Sequence, residues 1–319
     1  MRGSVLALAL LLAPIAATAV EPGMRAHLVV FDADPLEDPR AIIGGKVVIK
    51  DGVVHPRAAS TAKSAPEGVA DPPGERWAPY VEYLANEGVL VTAGDRMALI
   101  DGLFGDGLPS YPVVEPAVRD SLERAQGRFA EIHAILVTHV HRDHFDARAI
   151  ARHLEANPEA RLVAPSQAVD TLRAEIEHSA AILDRVDAVR LDPGETALLR
   201  VGGFEIRAIG LVHPPSRNEP VELVGYRVET NGYAIGHIGD ASLTPDELEP
   251  FIGVDLLLAP WWVLTGAEGA RRLAAVGADR VAAFHLGLET AASEVEERLS
   301  EGVDITVLRS SGTRMGGGP

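Results

Sequence analysis

An α/β fold built from two β-sheets flanked by helices is what this sequence predicts, on three observations. From about Trp77 onward, short β-branched apolar runs alternate with amphipathic segments, as expected for strands packed against helices. Strand runs followed by helix runs occur twice over, which calls for two sheets rather than one. Residues 139 to 144 read His-Val-His-Arg-Asp-His and directly follow the apolar run Ala134-Ile135-Leu136-Val137-Thr138. A buried strand that delivers three imidazoles and a carboxylate to a sheet edge fits such an architecture.

The chain opens with features of an export signal. Arg2 supplies a positive start, Val5 to Ala13 form an apolar core, and Ala17-Thr18-Ala19 is a small-x-small cleavage site, so residues 1–19 are expected to be removed. A retained N-terminal anchor is the competing reading, because apolar residues continue to Val20. Residues 20–57 contain two strand-like runs, Ala26 to Phe31 and Gly45 to Ile49, around the turn-rich Asp32-Ala33-Asp34-Pro35. Residues 58–76 are rich in Ala, Pro, Ser and Gly and read as a linker. The third piece, residues 77–319, is long enough for one large domain.

Within that domain Tyr80 to Leu84, Val89 to Thr92 and Met97 to Ile100 read as strands, the first two joined by the polar Asn86-Glu87-Gly88. A Gly/Pro-rich loop, Leu103 to Pro112, leads to a helix over Ala117 to Arg124 and to the strand before the His run. Ala147 to Glu155 is amphipathic and helical, Leu162 to Ala164 a strand, and Val169 to Glu177 a helix. Ala197 to His213, Gly225 to Thr230 and Tyr233 to Ile238 read as strands of the second sheet, and Asp255 to Ala259 as a buried strand. Helices are expected at Pro245 to Phe251, Ala267 to Val276 and Ala291 to Glu301.

The His run is the chemical signal. Histidines at i and i+2 can point into one cleft, while Asp143 and His144 leave the turn toward a second centre. Imidazole and carboxylate are the donors that zinc and neighbouring metals prefer. Three more polar groups sit where apolar strands stop: His213 after Ile206 to Val212, Asp240 after Ala234 to Gly239, and His285 after Val281 to Phe284. Each alone reads as a loop residue, but together with the run they suit convergence at one sheet edge. Trp261 and Trp262, just past a strand, either wall a pocket or pack between strand and helix. Arg217 and Asn218, shortly after His213, read as an exposed loop pair, with contact to an anionic group as the alternative, and His237 as structural, while His133, His153 and His178 need no function.

The motif HxHxDH, with this order of partners, resembles the metallo-β-lactamase superfamily over roughly residues 78 to 310. That resemblance implies an αββα sandwich of two mixed sheets. It assigns His139, His141 and His213 to a first metal ion and Asp143, His144 and His285 to a second, with Asp240 bridging. Asp101, at the end of an early strand, would orient ligand histidines from behind. The opening "VEYLANEGVLVTAGDRMALIDG" is similar to the ascorbate-6-phosphate lactonase-like branch. Separately, "HLVVFDADPLEDPRAIIGGKVVIKDGVVH" resembles the C-terminal tail of amidohydrolases. Without that family's barrel this segment reads as a fusion remnant, a recruited β-module or an unrelated hairpin.

The implied chemistry is hydrolysis. Two divalent ions about 3.5 Å apart share a water and lower its pKa, and the hydroxide attacks a carbonyl or phosphoryl centre. Asp143 or Asp240 would relay the proton, and no Cys is present to act as nucleophile, ligand or disulfide partner. The resemblance implies two ions, zinc first and manganese or iron after it, acting on an ester, lactone or phosphodiester of a small molecule. A bridging Asp at the position of Asp240 belongs to the glyoxalase II, lactonase, phosphodiesterase and RNA-processing branches, which argues against β-lactam cleavage. The same ligand set also suits an iron-dependent oxygenase or a non-catalytic metal-binding protein. The net charge of −17, without a basic run, repels phosphate backbones and excludes nucleic acid as an expected partner. No integral membrane segment is expected in the mature chain, an exported location is, and oligomeric state is left open.

Overall fold

The structure, a computed structural model, describes residues 28–30, 47–50, 53–56 and 79–316, apart from 177–178, 216–219, 245–246 and 300–303. The export signal, the linker, His178, Arg217 and Asn218 lie outside the described residues. The chain divides into two units, Met1–Pro73 and Gly74–Pro319.

In the first unit β1 (Leu28–Val30), β2 (Val47–Lys50) and β3 (Val53–Pro56) form an antiparallel sheet in that order. The first two overlap the two expected runs, and β3 adds a third.

The second unit contains two seven-stranded sheets. One holds β4 (Tyr80–Ala85), β5 (Gly88–Ala93), β6 (Arg96–Ile100), β7 (Ile132–Leu136), β8 (Arg161–Pro165) and β9 (Val186–Val189) side by side in chain order. The other holds β10 (Thr196–Val201), β11 (Phe204–Leu211), β12 (Leu223–Thr230), β13 (Tyr233–His237), β14 (Leu256–Pro260), β15 (Arg280–Phe284) and β16 (Ile305–Val307). The last strand, β17 (Arg314–Gly316), returns to the first sheet and pairs antiparallel with β4. Both sheets are mixed: hairpins give antiparallel pairs, and crossovers give the parallel pairs β6–β7–β8–β9 and β13–β14–β15–β16.

The alternation of side chains along each strand explains the layering. In β6, Ala98 and Ile100 face the other sheet with Val81, Val91, Ile206, Tyr226 and Phe284, whereas Met97 and Leu99 face helices. Those helices are α1 (Pro116–Glu123), α2 (Ala147–Ala156) and α3 (Ser166–Glu175), which bury Leu122, Ile150, Leu154, Val169 and Leu172 on the first sheet. The outer face of the second sheet buries Ile209 and Leu257 against Phe251, Val263, Leu273 and Val276. The result is the αββα sandwich that the sequence predicts. Asp146 caps α2 by accepting from the backbone N–H groups of Arg148 and Ala149 at 2.8 and 2.9 Å, which ends the His turn where the helix begins.

Three helical expectations need correction. Over Pro245 to Phe251 the described residues show only a short 3-10 turn, Glu249–Phe251. Among the described residues of the segment Ala291 to Glu301, the helix spans Ala292–Glu296, because the chain turns so that Leu299 bridges to Thr265. The helix expected from Val169 starts earlier, at Ser166, immediately after Pro165, which cannot continue strand pairing as a donor. A short helix, α4 (Ala180–Leu183), precedes β9, and α5 (Gly266–Val276) matches its expected span to within a residue.

Candidate metal centre

The His turn begins where β7 ends. The N–H groups of His144 and Phe145 donate to the carbonyl of His141 at 3.0 and 2.9 Å, folding the run back on itself. The second sheet braces this turn: the Tyr226 hydroxyl donates to the Val137 carbonyl at 2.7 Å, and the Val224 N–H donates to the Thr138 carbonyl at 2.9 Å. Gly239 approaches so closely that a Cβ there would lie 2.9 Å from Thr138 Cβ, so only glycine lets Asp240 reach the turn.

The polar groups from separate strand ends meet. His139 Nε2 lies 3.0 Å from His141 Nδ1, and the rings of His139, His141 and His213 sit with centroids 4.7 to 5.0 Å apart. Asp240 stands between two sets of nitrogens. Its Oδ2 is 3.7 Å from both His139 Nε2 and His213 Nε2, and its Oδ1 is 3.6 Å from His144 Nε2 and 3.2 Å from His285 Nε2. Asp143 lies with the second set, its Oδ2 3.5 Å from His285 Nε2 and 3.8 Å from His144 Nε2.

Groups behind the imidazoles decide which way each nitrogen faces. Asp101, at φ 45°, accepts from the Thr138 N–H at 2.8 Å and from its hydroxyl at 2.5 Å, and its Oδ2 lies 2.8 Å from His144 Nδ1. The same Thr138 hydroxyl is 3.0 Å from His139 Nδ1. His213 Nδ1 is 2.5 Å from the Pro214 carbonyl. Each of these Nδ1 atoms is therefore placed to donate outward, which leaves an Nε2 lone pair facing inward. Buried atoms without a hydrogen-bond partner collect at this point: His144 Nε2, His213 Nε2, His285 Nε2 and Asp240 Oδ1. Buried polar atoms rarely stay unpaired, and imidazole lone pairs converging with a carboxylate are the donor set of zinc-like divalent ions, so the residues fit metal.

The electrostatics point the same way. Burial, reinforced by His144, holds His139 well below the usual histidine range, so its ring is neutral at physiological pH. Burial and His213 likewise lower His141. For His285, burial is outweighed by Asp240 and Asp143, and its pKa is pushed up to about 9. Burial opposes ionisation of Asp240, but His144 and His285 hold it well below the carboxylate range. In the metal-free protein, a proton on His285 thus supplies cationic charge beside these carboxylates.

Two residues at the centre carry no signal of that role in the sequence. Glu87 and Asn86 form the turn between β4 and β5, and both are wholly buried. Asn86 Nδ2 donates to the Asp143 carbonyl at 3.3 Å and to its Oδ2 at 3.4 Å. Glu87 groups with His144, Asp240 and His285, one donor atom from each lying within 4.8 Å of the others. Glu87 also groups with Asp101 and His237, but that set is not a metal site: His237 Nε2 donates to the Glu87 carbonyl at 3.0 Å, and its Nδ1 accepts from the Gly239 N–H at 3.3 Å. Both nitrogens of His237 are committed, in keeping with a structural role. Of the tryptophans, Trp262 lies edge-on to His285 at 5.0 Å and Tyr111 meets the same ring at 4.3 Å, whereas Trp261 packs beneath Arg298.

A sequence model of the family described as "Beta-lactamase superfamily domain" matches residues 96–301, more than half of the chain. No curated protein matches. Among solved structures, the fold is similar to that of the metallo-beta-lactamase fold protein YhfI of Bacillus subtilis, at 14% identity and a TM-score of 0.55, covering 76% of this chain and 100% of that one. It is also similar to a metallo hydrolase of the hyperthermophilic archaeon Ignicoccus hospitalis, at 15% identity and a TM-score of 0.53, covering 75% and 98%. An isothiocyanate hydrolase from Delia radicum gut bacteria matches at 11% identity and a TM-score of 0.52, covering 74% and 98%. With a family match of that extent, two facing mixed sheets and the histidine turn at their edge, the chain belongs to the beta-lactamase superfamily and has the metallo-β-lactamase fold.

Proposed function

We propose that the protein is an exported, binuclear metal-dependent hydrolase acting on an ester, lactone or phosphodiester of a small molecule. The observation that carries this reading is Asp240, whose two carboxylate oxygens face different imidazole sets. His139, His141 and His213 would hold one ion, and His144, His285 and Asp143 the other, with zinc the first expectation for both. When bound, two such ions would supply a nucleophilic hydroxide and polarise the oxygen that gains charge.

The chain's own residues do the rest. Asp101 and Thr138 keep the His144 and His139 lone pairs aimed inward. Asn86 fixes the Asp143 carboxylate, and Asp143 or Asp240 would relay the proton released by the attacking water to the departing oxygen. Burial of His139 and His144 excludes bulk water from the floor of the centre, whereas His141 and His213 are its partly exposed members. Tyr111 and Trp262 flank His285 and suit a neutral organic substrate better than a polyanion, given the net charge of −17.

Export rests on the leader-like residues 1–19, and no helix among the described residues is long and apolar enough to cross a membrane. The decisive experiment is metal analysis of the purified protein together with a panel of lactone, aryl ester and bis(p-nitrophenyl) phosphate substrates. Two ions per chain are expected, with hydrolysis abolished in His141→Ala. Less than one ion per chain, with the same activity in both proteins, would refute the proposal.

A further inference from the structure

Glu87 is the most heavily buried acid that the proposed reaction leaves unused. It has no solvent exposure, no group donates to either carboxylate oxygen, and burial together with the facing Asp240 carboxylate, close enough to share a proton with it, holds its pKa well above the carboxylate range. Among the described residues no Lys or Arg pairs with it. Its one ion-pair neighbour is His144, whose Nδ1 lies 3.5 Å from Oε2 but is already directed to Asp101 at 2.8 Å. Buried carboxyls that face one another cannot all stay ionised unaided, so Glu87 and Asp240 call for a shared proton or, in its place, a cation.

The surrounding structure fixes it in place. A turn between two strands ordinarily lies at the surface, yet Asn86, Glu87 and Gly88 are all buried. Asn86 takes a left-handed φ of 50°, its side chain donates to Asp143, and His237 donates to the Glu87 carbonyl. Gly88 lies so close to the Asp101 carbonyl that a Cβ would approach it to 2.9 Å.

We infer that Glu87 is a further acidic member of the metal centre, an oxygen donor serving the second ion together with His144, Asp240 and His285. This inference rests on the binuclear reading above. Two donors each about 2.1 Å from one ion lie at most about 4.2 Å apart, and one donor atom from each of these four residues lies within 4.8 Å of the others, so the group is close enough to contract around an ion. The Asn86–Glu87 turn thereby becomes part of the centre from both sides, with one residue fixing Asp143 and the next supplying a carboxylate.

The test is calorimetric titration of the chelator-stripped full-length protein with Zn2+ and with Mn2+, bound ions being counted by atomic emission. Wild type, Glu87→Gln and Glu87→Asp are compared. Wild type takes up two ions. Glu87→Gln keeps the first and binds the second at least tenfold more weakly, and Glu87→Asp, with its carboxylate one methylene short, weakens it by a smaller factor. Second-ion affinity within twofold of wild type in Glu87→Gln overturns the inference and leaves the turn a purely structural one. The metal-free unfolding midpoint reports whether each variant folds, and if the Gln variant does not, Glu87→Asp is judged by the same twofold criterion. A wild-type protein that binds only one ion overturns the binuclear reading itself, a result distinct from a loss confined to the variants.

Discussion

Replacing Asp101 by Asn tests whether one carboxylate sets the direction of two imidazoles. Asp101 accepts from the Thr138 N–H and hydroxyl and lies 2.8 Å from His144 Nδ1, all with almost no exposure. Asparagine retains the shape and tolerates the left-handed φ of 45°, so the backbone need not move. One oxygen becomes an amide N–H2, however, which donates rather than accepts. Directed at His144 Nδ1, it favours the tautomer that carries its proton on Nε2 and so points a hydrogen where a metal needs a lone pair. Loss of such supporting partners costs about 10–100-fold in metal affinity, or roughly 1.4–2.7 kcal/mol. The second ion, held through His144, should weaken by that amount. The first, reached only through the Thr138 hydroxyl, should weaken by less than about tenfold. Each lost hydrogen bond to the charged group also costs the metal-free fold about 1.5–3 kcal/mol. Calorimetric titration of chelator-stripped protein with Zn2+, and urea unfolding of the same samples, read these two quantities. Second-ion affinity within twofold of wild type would show that Asp101 does not set the His144 tautomer.

Asp240→Asn should reduce bound metal from two ions toward one and lower hydrolysis at least 100-fold, as judged by atomic emission and the same substrate panel; two tightly held ions would remove Asp240 from its bridging place. Gly88→Ala places a methyl carbon 2.9 Å from the Asp101 carbonyl oxygen and 3.1 Å from that of Ala85, both backbone atoms that cannot rotate away. A loss of about 1–3 kcal/mol in urea unfolding is expected, and an unchanged midpoint would mean that the turn relaxes freely. In the metal-free protein, the folded pKa of His285, about 9, lies above the unfolded value near 6.5. Its contribution is therefore complete below pH 6.5 and disappears as pH rises through 9, with a ceiling of about 3 kcal/mol. The unfolding midpoint should fall between pH 7 and pH 10, and His285→Ala should flatten that decline; a midpoint rising over this range contradicts the assignment.

The parts of the centre that are legible in the sequence share one property: each sits where an apolar strand stops. His139 to His144 follow β7, Asp240 follows β13 and His285 follows β15, so local pattern alone places them at sheet edges. Glu87 is not legible, because Asn-Glu-Gly between two strands is also what an exposed hairpin turn looks like. Its burial comes from distant partners, Asp143, His237 and the carbonyl of Asp101, and no local signal carries those contacts. The edge strand β17 escapes a sequence reading for a related reason. Arg314–Gly316 is three residues long and exists as a strand only by pairing with Tyr80–Glu82 at the other end of the unit. Amphipathic composition runs on past Glu296 although the helix does not, since the Leu299–Thr265 bridge that stops it is tertiary.

The return of β17 to β4 has a consequence for how the protein is made. During synthesis from the N-terminus, β4 and β5 emerge early, but the outer edge of β4 is covered only when Arg314–Gly316 arrive. Likewise the imidazole nearest Asp240, that of His285, is made long after the HxHxDH turn. A nascent chain that has exposed the turn alone can offer an ion three histidines and one aspartate in the wrong company. Capture of metal before residue 285 appears would therefore favour misligated intermediates with an open, aggregation-prone strand edge. Translation in metal-depleted medium followed by later metal addition should raise the soluble yield relative to translation with excess zinc present from the start.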